Sequence, residues 1–220
     1  MFLGHYAVAL AAKRAAPRAS LGALVLAAQW ADLLWPALLL TGTERVAITG
    51  GANPFLVLTF THYPVSHSLL ADVGWGVAGG LLTWALTRDR RAALVVGLVV
   101  VSHWVLDFVT HRPDLPLVPG GAARVGLGLW YSPVATIVVE LAMWVAGVAL
   151  YVRATRARDR IGAAGFWALV TFLTVIYVLS FTGAPPPSVH ALALVTLATW
   201  LFPLWAWWVD RHRVPAGAGS

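Results

Sequence analysis

The sequence predicts an all-α, polytopic bundle of about six transmembrane helices with both termini in the cytoplasm, and three observations carry that prediction. Of 220 residues, 60% are hydrophobic and 11% are charged, a balance that no soluble domain of this length needs to build a core. Several apolar runs reach roughly 20 residues, the length that crosses the hydrocarbon layer. Basic residues alternate between loops: twelve of the 15 Lys and Arg fall in one set of loops and three in the other, and short loops rich in Lys and Arg stay on the cytoplasmic side.

Each element follows from these patterns. Residues 1–12 are apolar but too short to span. Lys13 and Arg14 follow this run where a signal peptide would have them precede it, so no cleavage is expected and His5 is expected to stay in the mature protein. The expected spans are 20–41, 66–87, 91–110, 132–152, 164–182 and 189–209. Lys13, Arg14 and Arg18 precede the first; Arg88, Arg90 and Arg91 join the second to the third; Arg153, Arg156, Arg158 and Arg160 join the fourth to the fifth; Arg211 and Arg213 follow the sixth. The other loops hold only Arg45, Arg112 and Arg124. Gly76, Gly79 and Gly80 in the second span allow a close helix approach. Many of the 12 Trp, including Trp130, Trp205, Trp207 and Trp208, read as interface anchors.

The chain reads as a single integral membrane domain, 1–220, without internal repeats. Its ionisable residues concentrate in about 1–150, while 160–210 reads as scaffold, with nothing ionisable between Phe166 and Val189. Two long outer loops, 42–65 and 111–131, are rich in Gly and Pro and flank the polar spans. The net charge of +6 is a topology signal, because its carriers are dispersed over four membrane-edge clusters and lack the single face that nucleic-acid binding requires. The partner is the lipid bilayer, and no nucleic acid is expected. Without Cys there is neither a disulfide nor a thiolate metal site.

Ionisable groups inside a bilayer cost at least about 2 to 3 kcal/mol each unless paired. The spans nevertheless hold the ionisable Asp32, His67, Asp72, His103, Asp107 and Glu140, and the polar Gln29. At 1.5 Å per residue, Asp32 lies roughly 21 Å from Arg18, Asp107 roughly 24 Å from Arg91 and Glu140 roughly 20 Å from Arg153, all at mid-membrane or toward the outside. His103, Asp107 and His111 recur at i, i+4 and i+8 on one helix face, although Pro113 is expected to end the helix near His111. Imidazole and carboxylate without sulfur suit zinc, and also manganese or iron. Asp32, His62 and His67 complete a candidate shell from neighbouring elements. A His and an Asp one turn apart can also simply hydrogen-bond each other, but three acids and three imidazoles at one depth are hard to satisfy that way. Asp72 reads as a partner of Ser68, and His190 and His212 as ordinary surface histidines. Glu140 reads either as a ligand or catalytic acid, or as a buried carboxyl without chemistry.

The ordered motifs Gly4-His5, Asp32 after an apolar run, His62-Tyr63-Pro64-Val65-Ser66-His67-Ser68 and Ser102-His103-Trp104-Val105-Leu106-Asp107 resemble those of the YdjM-like family of bacterial inner-membrane metal-dependent hydrolases. That family is distantly similar to zinc-dependent phospholipases C and single-strand nucleases. The match covers roughly the first half of the chain. It departs from the family pattern at Leu34, where a second acid stands in the family, and at Tyr63 and Pro64, in place of Arg and Gly. The resemblance implies His5, Asp32, His62, His67, His103 and Asp107 as ligands of one to three zinc ions, and a multi-pass location in a bacterial inner membrane. His111 or Glu140 stands available to replace the carboxylate missing at Leu34.

The function expected from these residues is a metal-dependent hydrolase, with Asp32 or Glu140 as proton acceptor and a lipid or lipid-linked phosphoester as substrate at the extracytoplasmic side. The rivals are a divalent-metal or proton-coupled transporter and a non-enzymatic membrane scaffold; haem ligation by paired His is weaker still.

Overall fold

The computed structural model describes residues 1–216. Five helical stretches are long and apolar enough to cross a membrane: α4 (Leu69–Thr87), α5 (Arg90–Thr110), α6 (Pro133–Ala154), α7 (Arg160–Thr182) and Val189–Arg211. The last is assembled from α8 (Val189–Leu197), a 3₁₀ turn at Ala198–Trp200 and α9 (Leu201–Arg211). Ser68, Asp89, Ser132, Asp159 and Ser188 cap the helices that follow them, each accepting from an amide three residues on, which satisfies a backbone donor that lipid cannot.

The expected first span is not one straight helix. It divides into α2 (Leu21–Ala28) and α3 (Trp30–Leu40), which meet at 55°. Gln29 at the joint leaves the helical region with ψ near 7°. Pro36 inside α3 has no N–H to return to the carbonyl of Asp32. The segment ahead of it, too short to span, forms α1 (Leu3–Ala15) and is buried within the bundle, with Leu3, His5, Tyr6, Ala9 and Leu10 all inside. Gly147 of α6 makes room for it: a Cβ there would stand 2.6 Å from the Ala7 carbonyl oxygen. Close approach also governs the α4–α5 hairpin, where a Cβ on Gly76 would stand 2.8 Å from the Gly97 oxygen and one on Gly80 3.0 Å from the Ala93 oxygen.

The basic clusters meet at one end of the bundle. Lys13 Nζ lies 2.7 Å from Asp210 Oδ2, Arg18 4.0 Å from Asp89, and His212 Nδ1 2.7 Å from Asp159 Oδ2. Strands β5 (Thr155–Ala157) and β6 (Arg213–Pro215) pair antiparallel there. The two long loops meet at the other end, and each contains a short hairpin that the Gly and Pro content did not announce. β1 (Arg45–Ile48) pairs with β2 (Leu58–His62), and β3 (Leu115–Pro116) with β4 (Arg124–Val125). The loops are tied together by Asn53 Nδ2 donating to the Trp130 carbonyl at 2.8 Å and by Arg112 Nη2 donating to that of Leu58 at 2.8 Å. The main core lies between these ends and includes Tyr151, Phe166, Leu173 and Tyr177.

Candidate metal centre

Four elements deliver five polar side chains to one buried point near the loop end. His5 comes from the first turns of α1, Asp32 from α3 just past its bend, His67 from the turn before α4, and His103 and Asp107 from successive turns of α5. Two overlapping triads result, His5 with His103 and Asp107, and Asp32 with His67 and His103; in each, one ligand atom per residue lies within 4.8 Å of the others. These groups suit a metal ion by donor type and spacing.

Asp107 is the hub. Its Oδ1 lies 3.1 Å from His5 Nε2 and 2.5 Å from the Met1 amino nitrogen, and its Oδ2 lies 3.3 Å from His103 Nε2 and 3.8 Å from both His67 Nε2 and His111 Nε2. Asp32 Oδ1 closes the other side, 3.4 Å from His67 Nε2 and 3.8 Å from His103 Nε2. The His5 and His103 rings stack at 3.7 Å.

Three of the imidazoles are oriented from behind through Nδ1: His103 by the Ala28 carbonyl at 2.8 Å, His67 by Ser66 Oγ at 2.6 Å and His111 by Asp114 Oδ1 at 3.0 Å. Fixing one ring nitrogen determines which way the other faces, as outer partners of metal-bound histidines do. Among the described residues, His103 Nε2 and His5 Nδ1 are buried without a hydrogen-bond partner, a costly arrangement that an ion or other ligand would relieve. The Asp32 side chain is 36% exposed, against 4% or less for the others, so approach to the cluster passes Asp32.

No family model, curated protein or solved structure matches this chain. The resemblance to the YdjM-like family therefore stands on the ordered motifs, and the geometry sorts their residues. His5, Asp32, His67, His103 and Asp107 are brought together. His111 caps α5 at the cluster's edge, where burial lowers its pKa below the ordinary value. His62 is not brought in. It ends β2 exposed, beside a register shift in the β1–β2 pairing, while the next residue, Tyr63, turns inward, 2% exposed, to pack with Trp104 and Leu115.

Glu140 is engaged elsewhere. Its Oε2 accepts from the amides of Phe2 at 2.9 Å and Gly4 at 3.3 Å, capping α1 and so holding His5 in place. Asp72 does not pair with the Ser68 side chain, because that hydroxyl donates to the Pro64 carbonyl and accepts from the Ala71 amide. Asp72 Oδ2 accepts instead from the Trp104 amide at 3.2 Å. His190 is exposed and His212 pairs with Asp159. Two residues that sequence reasoning passed over also serve the cluster: Glu44, the one acid in loop 42–65, behind Ser66, and Asp114, three residues after His111.

Proposed function

We propose that this chain is a membrane-embedded, metal-dependent hydrolase of a lipid or lipid-linked phosphoester, with zinc as the metal and the extracytoplasmic side as the side of action. The observation that carries the reading is the convergence of imidazole Nε2 atoms on Asp107 and Asp32, with His103 Nε2 held 3.3 Å from Asp107 Oδ2 but in no hydrogen bond. His5, His67, His103, Asp107 and Asp32 would hold the metal, which would supply Lewis acidity toward phosphoryl oxygens and a water acidic enough to attack near neutral pH.

The chain's own groups then divide the work. Asp107 joins the His5 side of the cluster to the His67 and His103 side. Asp32, the open carboxylate, takes the proton of the attacking water. Glu140 is left out of the chemistry because its oxygen is committed to the α1 amides. Arg112 offers no clamp to a phosphate, since Asp114, Thr59 and the Leu58 carbonyl already hold it. The cluster's place toward the loop end, in a chain with little mass outside the bundle, favours a substrate that arrives from the outer leaflet.

One observation favours a second reading, a divalent-metal transporter: the 55° break at Gln29, beside the cluster, is the kind of interruption that transporters place at their ion sites. Purified chain reconstituted in vesicles separates the two. The hydrolase reading expects zinc-dependent release of phosphate or phosphoalcohol from phospholipid vesicles and tightly held metal without flux. Fast-exchanging zinc that crosses the bilayer without hydrolysis of any phosphoester overturns it in favour of transport.

A further inference from the structure

Glu44 belongs to no helix or strand. It sits in the turn between α3 and β1, where a carboxylate ordinarily faces water, yet it is 1% exposed. It turns inward onto one short stretch of chain. Its Oε1 accepts from the amides of Val65 at 2.8 Å and Ser66 at 2.9 Å, and its Oε2 accepts from Ser66 Oγ at 2.5 Å. Beyond Ser66 Oγ, at 2.6 Å, is His67 Nδ1.

The proton count along this line is determinate. A carboxylate only accepts, and a serine hydroxyl has one proton to give. With that proton on Glu44, Ser66 Oγ is an acceptor toward the ring, so His67 Nδ1 carries a hydrogen and donates it. With Nδ1 so engaged, the ring turns Nε2 into the cluster, where it faces Asp32 Oδ1 at 3.4 Å and Asp107 Oδ2 at 3.8 Å. Two amide bonds would have been enough to fold the turn; the third bond, through the Ser66 side chain, reaches the ring.

We propose that Glu44 and Ser66 form a relay that fixes the tautomer of His67 and makes its Nε2 the donor atom of the metal centre, so that Glu44 is a positioning residue acting from the outer loop. This rests on the reading of the cluster as a metal site, and the test is built so that the two can fail separately. Glu44→Gln preserves size and the acceptor for both amides but puts an NH₂ against Ser66 Oγ. The serine proton must then turn to His67 Nδ1, and the ring hydrogen moves to Nε2, where it blocks ligation.

In the metal-free full-length protein in detergent, nitrogen chemical shifts of labelled histidine, with His67→Asn as the assignment control, are expected to show hydrogen on Nδ1 of His67 in the wild type and on Nε2 in Glu44→Gln. Zinc and cobalt(II) affinity, measured with the metal alone, is expected to fall about 10- to 100-fold in Glu44→Gln and Ser66→Ala, the range typical for loss of such partners. Ser66→Thr, which keeps the hydroxyl, is expected to restore it, and the melting temperature of the metal-free variants should stay near that of the wild type. Ser66→Ala leaves both amide bonds to Glu44 intact, so it tests the relay even if Glu44→Gln fails to fold. A wild-type ring without hydrogen on Nδ1, or a ring and affinity unmoved by both Glu44→Gln and Ser66→Ala, overturns the relay. A wild type that binds no metal overturns the metal reading, and the nitrogen shifts then still decide the relay.

Discussion

Two of the buried ionic clusters in the bundle are built to different rules. At the basic end, Lys13 Nζ donates to the Ala19 carbonyl at 2.8 Å and to Asp210 Oδ2 at 2.7 Å; Asp210 also accepts from the Leu21 amide at 3.0 Å and from the Tyr151 hydroxyl at 3.1 Å. One cation meets one anion, and the anion's oxygens are taken by groups from α1, α2 and α6. At the Asp107 end, two carboxylates meet the Met1 amine and a surplus of imidazoles, and His103 Nε2 and His5 Nδ1 have no hydrogen-bond partner. A polar cluster that only ties helices together can close on itself. One that leaves convergent lone pairs carries a desolvation cost that makes sense if something else completes it.

The sharpest way to break this comparison is to remove the hub. Asp107→Asn and His103→Ala are expected to strip most bound metal, a larger loss than the roughly 10- to 100-fold that outer partners command. His190→Ala and His212→Ala, outside the cluster, are expected to leave metal content unchanged. Metal per mole of purified protein measures both, and equal content in all four variants would reduce the cluster to mutual hydrogen bonding.

Lys13→Met inverts the test. It leaves Asp210 buried without its cation, which costs about 3 to 5 kcal/mol when one partner of a buried pair is removed. The unfolding midpoint in detergent should fall sharply while the protein that remains folded binds metal as before. Loss of metal in step with stability would show that the two clusters are one system, coupled through α1.

Much of this arrangement is legible in the sequence, for a physical reason. Lipid demands long apolar helices and punishes unpaired charge, so the five long spans and the anomalous Asp32, His103 and Asp107 stand out. The bend at Gln29 does not, because an uncharged residue in an apolar run carries no periodic signal. The burial of α1 is equally hidden, since a 13-residue apolar helix reads the same whether it lies in the interface or inside a bundle. His62 and His67 are equivalent in the ordered motif; only the end of β2, where His62 faces out and Tyr63 turns inward, separates them. Glu44 lies in a loop, where an acid needs no partner and so raises no question.

Steric insults of equal kind sharpen the comparison further. A Cβ on Gly147 would press on the Ala7 backbone at 2.6 Å, and one on Gly76 on the Gly97 oxygen at 2.8 Å. Gly147→Ala and Gly76→Ala should each cost about 1 to 3 kcal/mol by overpacking. α1 carries His5 and α5 carries His103 and Asp107, so both variants should also weaken metal binding. Zinc titration of both variants at matched folded fraction checks this, and affinities equal to that of the wild type would show that the positions of these helices do not set the site.

The smallest expected effect separates the cluster from an ordinary ion pair by pH. Asp159 caps α7 through its 2.9 Å bond from the Gly162 amide and pairs with His212 at 2.7 Å. The bond from His212 and then that from Gly162 hold its carboxyl below the ordinary 3.8. A depressed carboxyl adds stability that is fully present above its unfolded value and is lost as pH falls through the lower folded value. Between pH 7 and pH 5 this contribution should therefore hold steady. Asp159→Asn, which keeps a good capping oxygen, should lower the unfolding midpoint only slightly, because the pair is exposed and screened. Metal bound at the Asp107 cluster would compete with protons for its imidazoles, so its affinity should fall as the pH is lowered. A unit-by-unit titration from pH 7 to pH 4 reads both: bound metal should be lost first, and the difference between wild type and Asp159→Asn should shrink only near the acid end. Coincident loss of the two would mean that the cluster's metal is held by carboxylates alone, without the imidazoles.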